Sequence, residues 1–291
     1  MKLTQHFSRN KPAMSFEVFP PKTVSSMDSV IRATQSMAQL HPAFMSVTYG
    51  AGGGTSRYTL EIARCIEKDY GVPTLPHLTC VSSTRETISQ RIADLKAAGL
   101  ENVMALRGDL TPERMDSDPG TWDYRHATDL IRELASSGDF CIGGACYPEK
   151  HPESATQAED IDHLKEKVDA GCSFLTTQMF FDNALLYRFL DTTRAAGIGV
   201  PVVAGIMPIT AASQIHRAIA LSGSYVPEEL LALADKYCDD PAAMKQAGIA
   251  YAIDQVTDLY AKGVYNVHIY SMNKPEVAQQ IQSSVSGILK P

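Results

Sequence analysis

Ser15-Phe16-Glu17-Val18-Phe19-Pro20-Pro21 sets one carboxylate inside an apolar run that two prolines stop. Valine and aromatic residues favour a pleated strand, and the prolines end ladder pairing. Alternation puts Phe16, Val18 and Pro20 on one face and Ser15, Glu17 and Phe19 on the other. One face then meets a packed layer, while the other carries an ionisable group in mostly apolar surroundings. Such surroundings raise a carboxylic acid's pKa toward neutrality, which is what a general acid needs. The ordinary alternative is an edge-strand Glu pointing into water.

Further polar residues close other strand-like runs: Thr48 and Tyr49, His77 and Thr79, Arg107 and Asp109, Tyr147 and then His151, Gln178, and Tyr270 with Asn273 and Lys274. Each has a structural reading, such as a satisfied core histidine for His77 or an ion pair for Arg107 with Asp109. Three chemistries could use the set. A metal site wants converging His and carboxylates, but His77, Asp109 and Glu17 come from separate runs with no H-x-H or H-x-x-x-H pair. A Schiff-base aldolase needs a lysine within a strand, and none of the runs contains one. A cofactor site needs Thr, His, Arg, Tyr and Lys spread around a rim to meet phosphates, ribose and ring edges, and it matches best.

The elements that must position these residues alternate. Strand-like segments begin near Met14, Ala43, Val72, Asn102, Phe140, Ser173, Val200 and Val264, and helical patterns run over 26–40, 56–70, 84–99, 125–137, 157–171, 183–196, 211–221, 240–262 and 275–288. Gly99, Gly171, Gly197 and Gly263 each close a helix and lead straight into a strand. The last interval is longer and holds an additional helix around Pro227 to Tyr237. Eight βα units over 291 residues predict one (β/α)₈ TIM barrel spanning 1–291, with an extra helix inserted before the last strand. In such a barrel chemistry sits at the C-terminal strand ends, which is where the polar residues fall; only strand seven, ending Ala204-Gly205-Ile206-Met207-Pro208, looks bland. Gly50-Ala51-Gly52-Gly53-Gly54-Thr55 fails the dinucleotide fingerprint, since Thr55 stands where its third glycine belongs.

Composition narrows the partners. A net charge of -7 without a Lys/Arg cluster argues against nucleic acid, leaving small molecules. No apolar run approaches the roughly 20 residues of a membrane span, and the start of the chain lacks a signal peptide's apolar core, so a soluble cytoplasmic protein is expected. The six cysteines include no Cys-x-x-Cys pair and suggest neither a zinc site nor a disulfide framework.

Taken together, the Glu17 and Arg107 motifs, Ser46-Val47-Thr48-Tyr49-Gly50, Pro76-His77-Leu78-Thr79-Cys80, Tyr147-Pro148-Glu149-Lys150-His151-Pro152, Lys165-Glu166-Lys167-Val168-Asp169-Ala170-Gly171, Thr177-Gln178-Met179-Phe180-Phe181-Asp182 and Tyr270-Ser271-Met272-Asn273-Lys274 resemble the bacterial, FAD-dependent methylenetetrahydrofolate reductases, in order and in near-constant spacing from about residue 14 to 275. The resemblance implies reduction of 5,10-methylenetetrahydrofolate to 5-methyltetrahydrofolate by NADH or NADPH, ping-pong through FAD, in a pathway feeding methionine synthesis, by a homo-oligomer. It implies Glu17 as general acid and Asp109 as the carboxylate beside the flavin that binds the pterin and stabilises a cationic folate. Gln178, Lys274, Asp109 and Thr48 match substrate-binding positions. Thr48, His77, Leu106, Arg107, Gly108, Asp109, Ala145, Tyr147, His151, Asp160, His163 and Lys167 match positions that hold FAD. Asp160, His163 and Lys167, at i, i+3 and i+7, can share one helix face.

The chain departs from the pattern in places. Ala218 stands where an aromatic that stacks on substrate is expected, and His126, with Tyr124 nearby, replaces a flavin-contacting Tyr. Lys274 stands where Arg is also common. The competing readings are a related flavin barrel of the proline dehydrogenase kind, a metal-dependent barrel lyase, and a non-catalytic folate- or flavin-binding protein.

Overall fold

The computed structural model describes residues 1–7, 11–21, 26–49, 56–81, 83–110, 118 and 122–290, without the side chains of 56, 57 and 221. The glycine-rich loop at 50–55 lies outside the described residues. Eight strands, β1 (Ala13–Val18), β2 (Met45–Val47), β3 (Thr74–Thr79), β4 (Asn102–Leu106), β5 (Cys141–Cys146), β6 (Phe174–Thr177), β7 (Val202–Ile206) and β8 (Asn266–Ile269), form a closed, all-parallel barrel. The ring closes through β1 and β8, with Ala13 opposite Asn266 and Phe16 opposite Ile269. Ten helices are described: α1 (Met27–Ala38), α2 (Ser56–Tyr70), α3 (Arg85–Ala97), α4 (Ala127–Ser137), α5 (Gln157–Asp169), α6 (Asn183–Ala195), α7 (Ser213–Ser222), α8 (Glu228–Lys236), α9 (Pro241–Ala261) and α10 (Pro275–Ser284). The predicted (β/α)₈ order therefore holds, and α8 is the predicted extra helix before the last strand.

Local chemistry sets the boundaries. Thr84, Thr156, Asp182 and Asp240 accept hydrogen bonds from the first-turn amides of α3, α5, α6 and α9, and Pro241 starts α9 where a missing N–H costs nothing. At the other ends Gly99, Gly171, Gly197 and Gly263 have φ of +74°, +119°, +81° and +82°, turning the chain back toward the barrel.

The alternation of each strand divides the barrel into layers. Outward residues such as Phe16, Val18, Val47, Leu78, Val103, Leu175, Ile206 and Ile269 pack with the helices in one buried cluster. Inward residues Phe44, Leu75, Met104, Cys141, Phe174 and Val203, one from each of β3 to β7 and one just before β2, fill the N-terminal end together with Leu3. Two residues further along, the inward positions of β2, β3 and β6 become polar (Ser46, His77 and Thr176), beside Glu17 of β1 and His268 of β8, while β4, β5 and β7 offer Leu106, Gly143 and Gly205. That change leaves one end of the barrel packed and the other available for chemistry.

Candidate active site

Glu17 projects from β1 into the polar layer and is only 7% exposed. A closed barrel has no edge strand, so the solvent-facing alternative is excluded. Burial pushes the carboxyl up to about 8, outweighing the opposing effect of the Ser46 hydroxyl. His77 Nε2 lies 3.9 Å from Glu17 Oε2. Burial also pushes His77 down to about 4, so between those two values the contact joins a neutral imidazole to a neutral acid and is no ion pair.

Behind Glu17 runs a chain of hydrogen bonds. Ser46 Oγ is 3.5 Å from Glu17 Oε2 and 2.9 Å from His268 Nε2, while Ser15 Oγ is 2.7 Å from His268 Nδ1 and 3.1 Å from the carbonyl of Val267. Each hydroxyl has one proton to give. With Glu17 protonated, hydrogen runs from Glu17 to Ser46, from Ser46 to Nε2, from Nδ1 to Ser15, and from Ser15 to the carbonyl. With Glu17 ionised, Ser46 must turn to the carboxylate, the ring proton must move to Nε2, and Ser15 must leave Val267 for Nδ1. The protonated polarity keeps the bond to Val267 and the ionised one forfeits it, which offsets part of the Ser46 hydroxyl's pull toward the carboxylate. His268 itself is held neutral by burial, pushed down to about 3, and stacks on Phe44 at 5.2 Å.

The backbone around Glu17 is fixed from β8. Ser271 Oγ donates to the Glu17 carbonyl at 3.3 Å. The Asn273 amide donates to the carbonyl of Phe19 (2.9 Å) and accepts from its N–H (2.8 Å), pairing the chain just before Pro20 and Pro21. Asn273 is thus a structural clasp, held with Met272 in a turn where both have φ +56°. Tyr270 is structural as well: its hydroxyl spans to the Thr177 carbonyl at 2.6 Å, over Gly205, where an added Cβ would lie 2.5 Å from that carbonyl. Strand seven is bland because it must let Tyr270 pass.

The remaining candidates ring the mouth. Thr48, His77, Leu106, Gly108, Ala145, Tyr147 and Gln178 share the inward parity of their strands. Gln178 Oε1 accepts from the Met179 amide at 3.0 Å, leaving its NH₂ as the outward donor. Lys274 Nζ donates to Thr210 Oγ1 at 2.7 Å. Gly108 has φ +89°, and a Cβ there would meet the Thr79 side chain at 2.9 Å, so the turn between Arg107 and exposed Asp109 requires glycine. Arg107 pairs with Glu153, and not with Asp109, through Nη1 (2.6 Å) and Nη2 (2.7 Å). Tyr147, pushed up to about 12 by burial, meets the His151 ring edge-on at 4.6 Å. On α5, Lys167 Nζ reaches the Ala145 carbonyl (3.0 Å) and Asp160 accepts from Ser154 (3.2 Å), whereas His163 is exposed.

Two departures have structural outcomes. Ala218 is fully buried in a cluster with Met179, Phe181, Ile215 and Leu230, so α7 offers no aromatic at that position. Tyr124 is buried with its hydroxyl on Glu133, and His126 stands at the start of α4. Sequence reasoning passed over Ser46, His268, Thr210 and Glu153. Counting back by two from Thr48 and Tyr270 would have found the first two, because they share the inward parity.

The family model described as methylenetetrahydrofolate reductase matches residues 2–286. A 5,10-methylenetetrahydrofolate reductase of Pectobacterium carotovorum is 35% identical over 268 residues, covering 92% of this chain and 88% of that protein, and the Escherichia coli protein of the same name is 34% identical with the same coverage. The chain spans about half the length of plant relatives such as the methylenetetrahydrofolate reductase (NADH) 1 of Zea mays, 34% identical over 95% of this chain and 49% of that protein. Among solved structures, an uncharacterized Clostridium thermocellum protein that binds two copies of 5-methyl-5,6,7,8-tetrahydrofolic acid shares the fold, with a TM-score of 0.65 at 13% identity over 96% of each chain.

Proposed function

The chain belongs to the methylenetetrahydrofolate reductase family, and from that premise we propose that it reduces 5,10-methylenetetrahydrofolate to 5-methyltetrahydrofolate, with NADH or NADPH as electron source and FAD as carrier. The observation that carries the reading is Glu17: a buried carboxyl kept in its acid form in the polar layer of the barrel, with a hydroxyl-imidazole chain behind it.

The residues around the mouth fit a flavin dinucleotide by their chemistry. Arg107 and Lys167 are cations suited to phosphate; Thr48, His77 and Tyr147 are donors and flat surfaces suited to ring edges; Leu106, Gly108 and Ala145 present backbone and small apolar contacts; His151, Asp160 and His163 stand along the loop after β5 and on α5 for ribose and adenine. FAD, when bound, supplies hydride transfer in both directions, from the nicotinamide and to the folate.

The rest falls to the protein. The imidazolidine ring of the substrate must open to an N5 iminium cation before its carbon can take hydride, and the proton comes from the Glu17 carboxyl. A carboxylate near 4.5 would arrive already ionised; one near 8 keeps its proton at neutral pH and still gives it up to a leaving amine. Asp109 holds the pterin and opposes the positive charge that develops. Gln178 offers its NH₂ to the folate, and Lys274, steadied by Thr210, meets an anionic group of folate or nucleotide. The product serves methionine synthesis in the cytoplasm, and the enzyme works as a homo-oligomer; exposed Ile219, Tyr225 and Leu231, on α7, the following loop and α8, support that last point, which light scattering checks.

The test is an anaerobic visible spectrum of the purified protein, adding NADH or NADPH and then methylenetetrahydrofolate. Expected is a yellow protein that bleaches and regains colour with folate. A protein that cannot take up FAD overturns the cofactor assignment.

A further inference from the structure

Arg107 stands at the end of β4 with a carboxylate already on its fork. Glu153 Oε1 and Oε2 accept from Nη2 and Nη1 at 2.7 and 2.6 Å, the two-pronged geometry in which guanidinium grips either a carboxylate or a phosphate. The pairing is strong enough to hold Glu153 below the usual carboxylate range and Arg107 above its own ordinary value.

Glu153 reaches Arg107 because its loop is ordered. Lys150 takes φ +121°, a backbone conformation costly for a side chain of that size. Its ammonium donates to the carbonyls of His151 and Ser154. The Glu153 N–H donates to His151 Nδ1 at 3.1 Å, and Ser154 Oγ donates to Asp160 Oδ1 at 3.2 Å. Besides these anchors within the loop and on α5, the Tyr225 N–H donates to Glu149 Oε2 at 2.7 Å, so the loop is held from outside as well. Its carboxylate is presented to Arg107 from a fixed turn, yet the Glu153 side chain is 55% exposed, so displacing it returns it to water at little cost.

We propose that Glu153 is an internal stand-in for the dinucleotide's diphosphate: it occupies Arg107 until the cofactor arrives, must be displaced for phosphate to bind, and thereby sets cofactor affinity. This rests on the FAD reading above and assigns to that site a competitor supplied by the chain itself. An unoccupied guanidinium at the mouth would take any passing phosphate or nucleotide; a carboxylate in its fork restricts it to ligands that bind elsewhere in the site as well.

The experiment is a fluorescence titration of the flavin-stripped full chain, native and Glu153→Gln, with FAD and with riboflavin, which has no phosphate. Expected is about fivefold tighter FAD binding in the variant, the size of an exposed ion pair, with riboflavin affinity unchanged. Equal or weaker FAD binding by Glu153→Gln would show that the carboxylate positions Arg107 or does nothing there, and overturns the proposal. Riboflavin tightening by the same factor overturns it too, because the effect would then be a general change in the loop. If the native chain binds FAD and the variant binds it no better, only this inference falls. If neither takes up FAD at any attainable concentration, the cofactor reading falls with it, and uptake by the variant alone supports the competition.

Discussion

Among the described residues no cation pairs with buried Glu17, and its cost is spread over neutral partners: Ser46, His268 and His77. The folded carboxyl keeps its proton up to about 8, whereas an unfolded Glu loses it near 4.5, so the native state binds more protons across that window and stability falls as pH rises through it. His77 and His268 act in the opposite sense. They stay neutral in the fold down to about 4 and about 3 but charge in the unfolded chain below 6.5, so their contribution is lost as pH falls below that value. The cluster therefore favours the fold most near pH 6.5. Glu17→Gln removes the alkaline limb: in urea denaturation the variant should gain about 2–3 kcal/mol on the native chain between about pH 6 and about pH 8. Parallel profiles for the two proteins would mean that Glu17 is an ordinary ionised carboxylate. Glu17 itself was legible from its lone place in an apolar strand. Its partners were not, because Ser46 and His268 are 222 positions apart and meet only when the ring closes.

At the scale of elements, the bland strand seven shows how a site can depend on residues without chemistry of their own. Gly205 leaves room for Tyr270, and Gly248 in the middle of α9 lies against the backbone of Ile209, where an added Cβ would overlap the Ile209 carbonyl. Backbone against backbone cannot yield as a flexible side chain can. The contact fixes the segment after β7, whose Thr210 holds Lys274 and donates through its N–H and its hydroxyl to Gln214 Oε1. Gly248→Ala should therefore lower stability by about 3 kcal/mol, a shift read in thermal unfolding, and raise KM for folate or nucleotide more than it lowers kcat. A variant as stable as the native chain would show that α9 can move away from β7 freely. Periodicity made α9 and its start at Asp240-Pro241 legible in the sequence. The need for glycine at 248 was not, since it arises from a loop nearly forty residues earlier.

For the whole molecule, the barrel separates stability from chemistry along its axis. The N-terminal end is an apolar plug of Phe44, Leu75, Met104, Cys141, Phe174 and Val203 closed by Leu3, whose N–H donates to Asn102 Oδ1 at 2.9 Å. Leu3→Ala should cost about 2–4 kcal/mol of stability while kcat and KM at a permissive temperature stay within twofold; a loss of turnover in the folded variant would contradict the separation. Barrel, strand order and inserted helix were legible because strand and helix periods alternate and glycines mark the turns. Which inward residues share a layer was not, because that depends on ring closure. The most direct measurement compares the two half-reactions in Glu17→Gln by anaerobic absorbance. In that variant NADH or NADPH should still bleach the flavin at nearly the native rate, while methylenetetrahydrofolate restores its colour at least about 100-fold more slowly. Native-rate restoration by folate in that variant would contradict Glu17 as the proton donor.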